Sequence, residues 1–262
     1  MQNFISQLPT PMDILFDPIS LIVYVMFGGL MLWESLFPAR RLPKMKFWKL
    51  KGITFFIAYV LLTTYIPLIW DDFFASYQLM DLSSLSLWVQ IILGVFLFEL
   101  VQYGWHISMH KSNFLFRTSH QMHHSSERID VPSAFIFSAN DMIGLSLVGS
   151  VSFALIMGLT PQAITIIVLF LTFLGIFQHA NINTPRWLGY IIQRPESHTI
   201  HHAKGIHRYN YTDLPIIDMI FGTFKNPKNY EHETGFYHGA SNRILEMLSF
   251  KDVTTKKNNE KN

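Results

Sequence analysis

The sequence predicts an all-α integral membrane protein: about five transmembrane helices under a cytoplasmic, His-rich helical cap. Three observations predict it. Half of the 262 residues are hydrophobic and only 15% are charged, against about 25% charged in soluble domains. Five apolar stretches are each long enough to cross a bilayer, which takes about 20 residues as a helix. Nine of the 12 histidines gather in four short groups at matching ends of those stretches.

The first stretch runs from Ile19 to Leu36, without Lys or Arg and with one acid, Glu34. The second, Ile53–Trp70, carries no charge, and the third, Leu85–Tyr103, carries only Glu99. A polar stretch to Pro132 follows. The fourth and fifth, Phe135–Gly158 and Gln162–Phe177, are joined by Gly158-Leu159-Thr160-Pro161. A turn that short makes them antiparallel neighbours. Asn140 and Asp141 count against the fourth. Packing all five as core helices of a soluble protein would leave little polar surface to cover them. Residues 1–18 do not read as a signal peptide, because they lack a basic start and contain Pro9, Pro11 and Pro18.

The basic residues test this topology independently. Six lie between Arg40 and Lys51, three more are Lys111, Arg117 and Arg128, and the other eleven of the 20 follow the fifth span. The N-terminus, Asp71–Ser84 and the turn before Pro161 hold none. With five spans these segments alternate onto one side, which the positive-inside rule makes the cytoplasm. The C-terminal region is then cytoplasmic, ending in a Lys/Asn tail expected to be partly disordered.

Composition also excludes chemistry. With no Cys, disulfides, Fe–S clusters, thiolate zinc sites and Cys nucleophiles are ruled out. A net charge of +2 gives no sign of nucleic-acid binding. No Gly-rich dinucleotide fingerprint is visible.

The four histidine groups are His106-x-x-x-His110, His120-x-x-His123-His124, His179 and His198-x-x-His201-His202. Spacings of three and four residues put side chains on one helix face, so each group aims its rings together. Imidazole suits Zn, Cu, Fe and Ni. A tetrahedral zinc needs four ligands, so nine candidates imply a dimetal site held by the cap. The zinc-protease pattern H-E-x-x-H is absent, since Ile107 and Gln121 occupy the Glu position. Bis-His haem ligation would leave the repeated H-x-x-H-H unexplained. A non-catalytic or non-iron His-rich metal-binding or transport protein is the alternative, though carriers place ligands at mid-membrane.

In order and spacing these boxes resemble the fatty acid hydroxylase/sterol desaturase superfamily of membrane di-iron oxygenases. Flanking words strengthen the resemblance: Tyr103-Gly104-Trp105-His106, His123-His124-Ser125-Ser126-Glu127, Gln178-His179-Ala180-Asn181, Asn210-Tyr211 and Asp218-Met219-Ile220-Phe221-Gly222-Thr223-Phe224. The nearest branches are alkylglycerol monooxygenase-like and bacterial sterol desaturase-like members. The chain departs from the pattern at Ile107, where many members have Arg, and at Thr212, where Gly is common. A third departure is Asn183, where some relatives carry a further His.

The resemblance implies two Fe ions, O2 as co-substrate and hydroxylation or desaturation of an alkyl chain of a lipid substrate. Its implied metal ligands are His106, His110, His120, His123, His124, His179, His198, His201 and His202. His207, Asn183, Asp218 and Glu99 are further candidates for an extra ligand or a supporting contact. Asp130, Glu127 and Asp213 join them as acceptors for ligand N–H groups. His232 and His238 read as surface residues. With no electron carrier in the chain, an external donor is expected, cytochrome b5-like or ferredoxin-type with a reductase. It would dock on the cytoplasmic face, where the basic segments also meet membrane lipids. A bacterial inner membrane and the ER membrane both fit. The chain divides into N-terminal spans with a basic loop (1–84), a catalytic region (85–226) and a cytoplasmic tail (227–262).

Overall fold

A computed structural model of the protein describes residues 8–256. Among them there are no β-strands, and five helices are long and apolar enough to cross a membrane. These are α1 (Pro18–Leu36), α2 (Trp48–Ser76), α3 (Leu87–Lys111), α4 (Ala139–Met157, its last turns π-type) and α5 (Pro161–His179). The protein is a multi-pass membrane protein. Two short helices complete the frame of the site, α6 (Pro195–His201) and α7 (Pro215–Ile220).

Local chemistry sets the helix ends. The Asp17 side chain accepts the Ile19 N–H at 2.8 Å and Pro18 occupies the first turn of α1, a pairing that satisfies a free donor where proline has none. Ser138 caps α4 by accepting the Asp141 N–H. Gly158 ends that helix with a φ of +54°, a left-handed conformation that glycine adopts without steric cost. The Gln90 side chain accepts the Thr160 N–H at 2.9 Å, which ties the starts of α3 and α5 together.

Two spans are longer than expected. Helix α2 begins at Trp48, because Trp48, Gly52, Phe56 and Val60 form one buried i, i+4 stripe that outweighs the charges of Lys49 and Lys51 between them. Helix α3 runs two turns past Tyr103 to Lys111. The first histidine pair therefore sits inside a spanning helix rather than in a polar stretch beyond it. Conversely, α4 starts at Ala139, four residues later than expected. Asn140 and Asp141 fall in its first turn.

The core lies between the helices. Phe27 of α1 stacks on Phe56 of α2 at 4.1 Å, and Phe135 covers Phe56 at 5.1 Å. On the other flank Phe98 of α3 stacks on Phe153 of α4 at 5.5 Å. Gly52 allows a close approach of two backbones: a Cβ there would stand 2.4 Å from the Pro132 carbonyl oxygen. Buried Glu34, near the end of α1, accepts the N–H groups of Val131 and Asn181 at 3.0 and 2.9 Å, fastening that span to the cap. The segment after residue 226 also packs, with Phe236, Ala240, Met247 and Val253 against Trp48 and Met122. The end of the expected Lys/Asn tail, 257–262, lies outside the described residues. Basic residues 40–51 share the end of the bundle with the histidines: Arg40 bonds Thr199, and Lys51 bonds the Ser241 carbonyl.

Candidate metal centre

Nine histidines converge where α3, α5 and α6 end together. His106, His110, His120, His124 and His201 form one group and His123, His179, His198 and His202 a second, with the ligand atoms within each group all within 4.8 Å of one another. Each group draws on three or more chain segments. The short helical run 113–124 supplies His120, His123 and His124, and a π-type turn over Phe116–His120 sets their facing. The groups touch: His124 stacks on His202 with centroids 4.3 Å apart.

Contacts behind four of the rings fix which nitrogen points inward. The Nδ1–H of His106 donates to the Tyr211 carbonyl at 2.7 Å, that of His201 to the Tyr209 carbonyl at 2.8 Å, and that of His179 to the Gly175 carbonyl at 2.7 Å. A carbonyl only accepts, so each of these rings carries its hydrogen on Nδ1 and aims the bare lone pair of Nε2 at the centre. His120 is held likewise, Nδ1 to the Asp141 carboxylate at 2.8 Å. His124 meets His207, Nδ1 to Nδ1, at 3.0 Å.

The inward nitrogens crowd together. His106 and His120 bring Nε2 to Nε2 at 2.9 Å. In the second group the Nε2–Nε2 separations are 3.3 Å for His123–His179, 3.2 Å for His179–His198 and 3.0 Å for His198–His202. Lone pairs that face each other repel, and a cation between them turns repulsion into ligation. Imidazole nitrogens about 2.1 Å from one ion, at right angles, stand about 3.0 Å apart, the separation found here. The Nε2 atoms of His110, His124 and His201 are buried without a hydrogen-bond partner, as ligand atoms would be. The residues therefore fit two metal ions, one per group. Burial holds the rings of His123, His124, His198, His201 and His202 well below the ordinary imidazole range, with neighbouring histidines adding to the effect. They are neutral at physiological pH, the form that binds metal.

The last box is held by a buried network. Arg194, fully buried, donates to Thr184 and Asn226 and pairs with Glu196 at 3.1 Å at the start of α6. Behind α6, His207, Tyr209 and Asn210 all have positive φ, at 42°, 69° and 50°. Such strain in non-glycine residues persists only where surroundings impose it. Here the turn presents the carbonyls of Tyr209 and Tyr211 to two rings of the first group.

An apolar cavity of about 400 Å³ reaches the histidines from within the helix bundle. Tyr59, Thr63 and Pro67 of α2, Phe98 of α3 and Gly149 and Phe153 of α4 line its body. His106, His120, His123, His179 and His198 line its head.

The supporting carboxylates differ from expectation. Asp130 accepts from Trp48 at 2.8 Å and pairs with Arg128, and Glu127 accepts from Gly239 and Ser241. Asp213 accepts from Gln178 at 2.6 Å. Asp218 accepts the N–H groups of Tyr211 and Thr212, and Glu99 those of Asp213 and Leu214. No ring hydrogen bond joins any of the five to a histidine. Their partners are loop amides and other side chains, so Asp218 and Glu99 act on the rings through the backbone that carries Tyr211. Asn183 is exposed and lies in neither group. His207 touches the first group twice, through its ring against His124 and through its backbone, which hydrogen-bonds His110. His238 is exposed and His232 half-buried.

The residue missed by sequence reasoning is Asp141. Its signal was present as an acid at the start of a span, where it counted against the helix. The carbonyl acceptors of Gly175, Tyr209 and Tyr211 leave no side-chain signal at all.

A family model for fatty acid hydroxylases matches residues 91–223. Sphinganine C4-monooxygenase 1 of Arabidopsis thaliana is 29% identical over 150 residues, covering 54% of this chain and 56% of that protein. The chain thus spans little more than half the length of that relative. No solved structure matches it. The family model takes in all nine clustered histidines, and with half the sequence matched the chain belongs to the fatty acid hydroxylase family.

Proposed function

We propose that the protein hydroxylates, or desaturates, an alkyl chain of a lipid, using O2 and two electrons from an external donor. The observation that carries this reading is the apolar cavity in a membrane bundle ending on nine convergent histidines. Two iron ions held there would supply the activation of O2 that an unactivated C–H bond requires. The metal ligands in this reading are the nine histidines named above.

The chain's own residues do the rest. Phe98, Phe153 and Leu171 enclose an alkyl chain away from water, and the neutral imidazoles bind cations without adding negative charge. The carbonyls of Tyr211, Tyr209 and Gly175 and the Asp141 carboxylate hold four rings in orientation, the usual office of groups behind a metal ligand. Sphinganine, named in the Arabidopsis relative, is one substrate of suitable chemistry. By the positive-inside rule the histidine end faces the cytoplasm. Its basic segment Arg40–Lys51 then offers an acidic donor, cytochrome b5-like or ferredoxin-type, a place to dock.

Comparative lipidomics tests the reading. Cells carrying the wild-type chain should contain a lipid with one added oxygen, or two fewer hydrogens, that a His120/His123/His124 triple alanine variant lacks. Identical lipid profiles would overturn it.

A further inference from the structure

We propose that residues 210–224, which follow the last histidine box and include α7, form a re-entrant element embedded in the bilayer, with Ile216, Ile220 and Phe221 in contact with acyl chains. This inference depends on the membrane topology and not on which metal or substrate the site takes.

Depth is the first argument. A hydrocarbon core of about 30 Å takes about 20 helical residues at about 1.5 Å each. Counted from Leu87, that thickness carries α3 as far as His106. The segment packs on α3 inside this stretch: Tyr211 and Ile217 cluster with Tyr103, Leu100 and Ile107, and Phe221 stacks on Tyr103 at 4.5 Å. Glu99, about 18 Å into the same helix by the same rise, accepts the backbone N–H groups of Asp213 and Leu214. The chain beyond the last histidine box thus dips back to the level of Glu99.

Hydrogen bonding is the second. Non-helical backbone at membrane depth is tolerated only where protein satisfies its polar groups. Here five consecutive amides are satisfied within the protein: Asn210 donates to the Thr223 carbonyl, Tyr211 and Thr212 to the Asp218 carboxylate, and Asp213 and Leu214 to Glu99. The next residue, Pro215, has no N–H to place. Two buried carboxylates, neither of them bonded to a histidine, thereby acquire a purpose, since they replace the water that a cytoplasmic loop would use.

The third is the outer face. Ile216, Ile220 and Phe221 are 47, 62 and 52% exposed, while Pro215 before them and Ile217 and Asp218 between them are buried. This apolar face continues the exposed stripe of α3, Trp88, Ile92 and Phe96, toward the histidine end. Exposed Lys225 and Lys228 follow it in the chain, as expected where a segment leaves the acyl region for the headgroups. Tyr211, whose carbonyl orients His106, rides on this element, so lipid contact and ring orientation share one short piece of backbone.

The absence of Cys allows a direct test. Single cysteines replace Ile216, Ile220 or Phe221, with Trp88→Cys as an embedded reference and His238→Cys as an aqueous one. Each is labelled with an environment-sensitive fluorophore in the full chain reconstituted in phosphatidylcholine vesicles. The α7 sites should emit to the blue as the Trp88 site does. They should be quenched by nitroxide-bearing acyl chains and should resist aqueous iodide, with the reverse at His238. All replaced positions are exposed, and circular dichroism of each labelled protein verifies helix content. Iodide quenching of the α7 sites equal to that at His238 would overturn the proposal. So would protection from both quenchers, which would mean a protein partner on that face.

Discussion

His120 donates its Nδ1–H to Asp141 at 2.8 Å, and the opposite nitrogen of the same ring stands 2.9 Å from Nε2 of His106. One carboxylate at the head of α4 thus decides which nitrogen His120 turns toward the centre. Asp141→Ala should lower metal affinity or activity about 10–100-fold, the usual loss when a group behind a ligand is removed. Asp141→Asn, which still accepts the N–H, should lose less. Metal content and product formation measured on both variants check this order.

The segment carrying Tyr211 leans on Asp218, which accepts two amides and the hydroxyls of Thr212 and Thr223. Asp218→Ala strands those donors, each buried unsatisfied group costing about 1–3 kcal/mol. Thermal unfolding in detergent should show a lower midpoint. Glu99→Ala should act in the same direction through Asp213 and Leu214. A midpoint unchanged in both variants would contradict the role assigned to these carboxylates.

Space in the cavity should set chain length. Gly149 lines the cavity, and a Cβ there meets nothing closer than Phe153 at 3.7 Å, so a larger side chain projects into the cavity without disturbing the helix. Gly149→Leu should raise KM for long-chain substrates while leaving turnover of shorter ones near wild type. Gly52→Ala is the opposite case. The Pro132 backbone at 2.4 Å cannot yield cheaply, and a loss of about 1–3 kcal/mol in stability is expected from overpacking.

Acid should destabilise the metal-free protein. Burial lowers His207 to about 4 against an ordinary value of about 6.5. Between those values the unfolded chain binds the proton and the folded chain does not. Stability contributed by this group is therefore present above about pH 6.5 and is lost as pH falls toward 4. The buried rings of His123 and His124, also lowered, act in the same direction. Denaturant midpoints across this range check the sign; a midpoint that rises on acidification would contradict it.

Much of this was legible in sequence because it is written in side chains. Apolar length announced five spans, and the spacing of His198, His201 and His202 announced rings on one face. What stayed hidden was carried by backbone or by context. Carbonyls of Tyr209, Tyr211 and Gly175 orient three rings, yet every residue has a carbonyl. Asp218 and Glu99 read as partners of histidines, whereas the amides of residues 211–214 claim them first. The polarity of His106 and His110 reads in sequence as the end of a span, whereas α3 runs on through both to Lys111 because convergent packing keeps those rings inside the bundle.

The central claim is that the nine histidines hold two ions of iron. Metal analysis of the detergent-purified chain, with His110→Ala and His198→Ala in parallel, tests it most directly. About two irons per chain are expected in the wild type, since each group offers enough imidazoles for one ion. Each variant, one from either group, should bind less. One zinc per chain, or no metal, would contradict the claim.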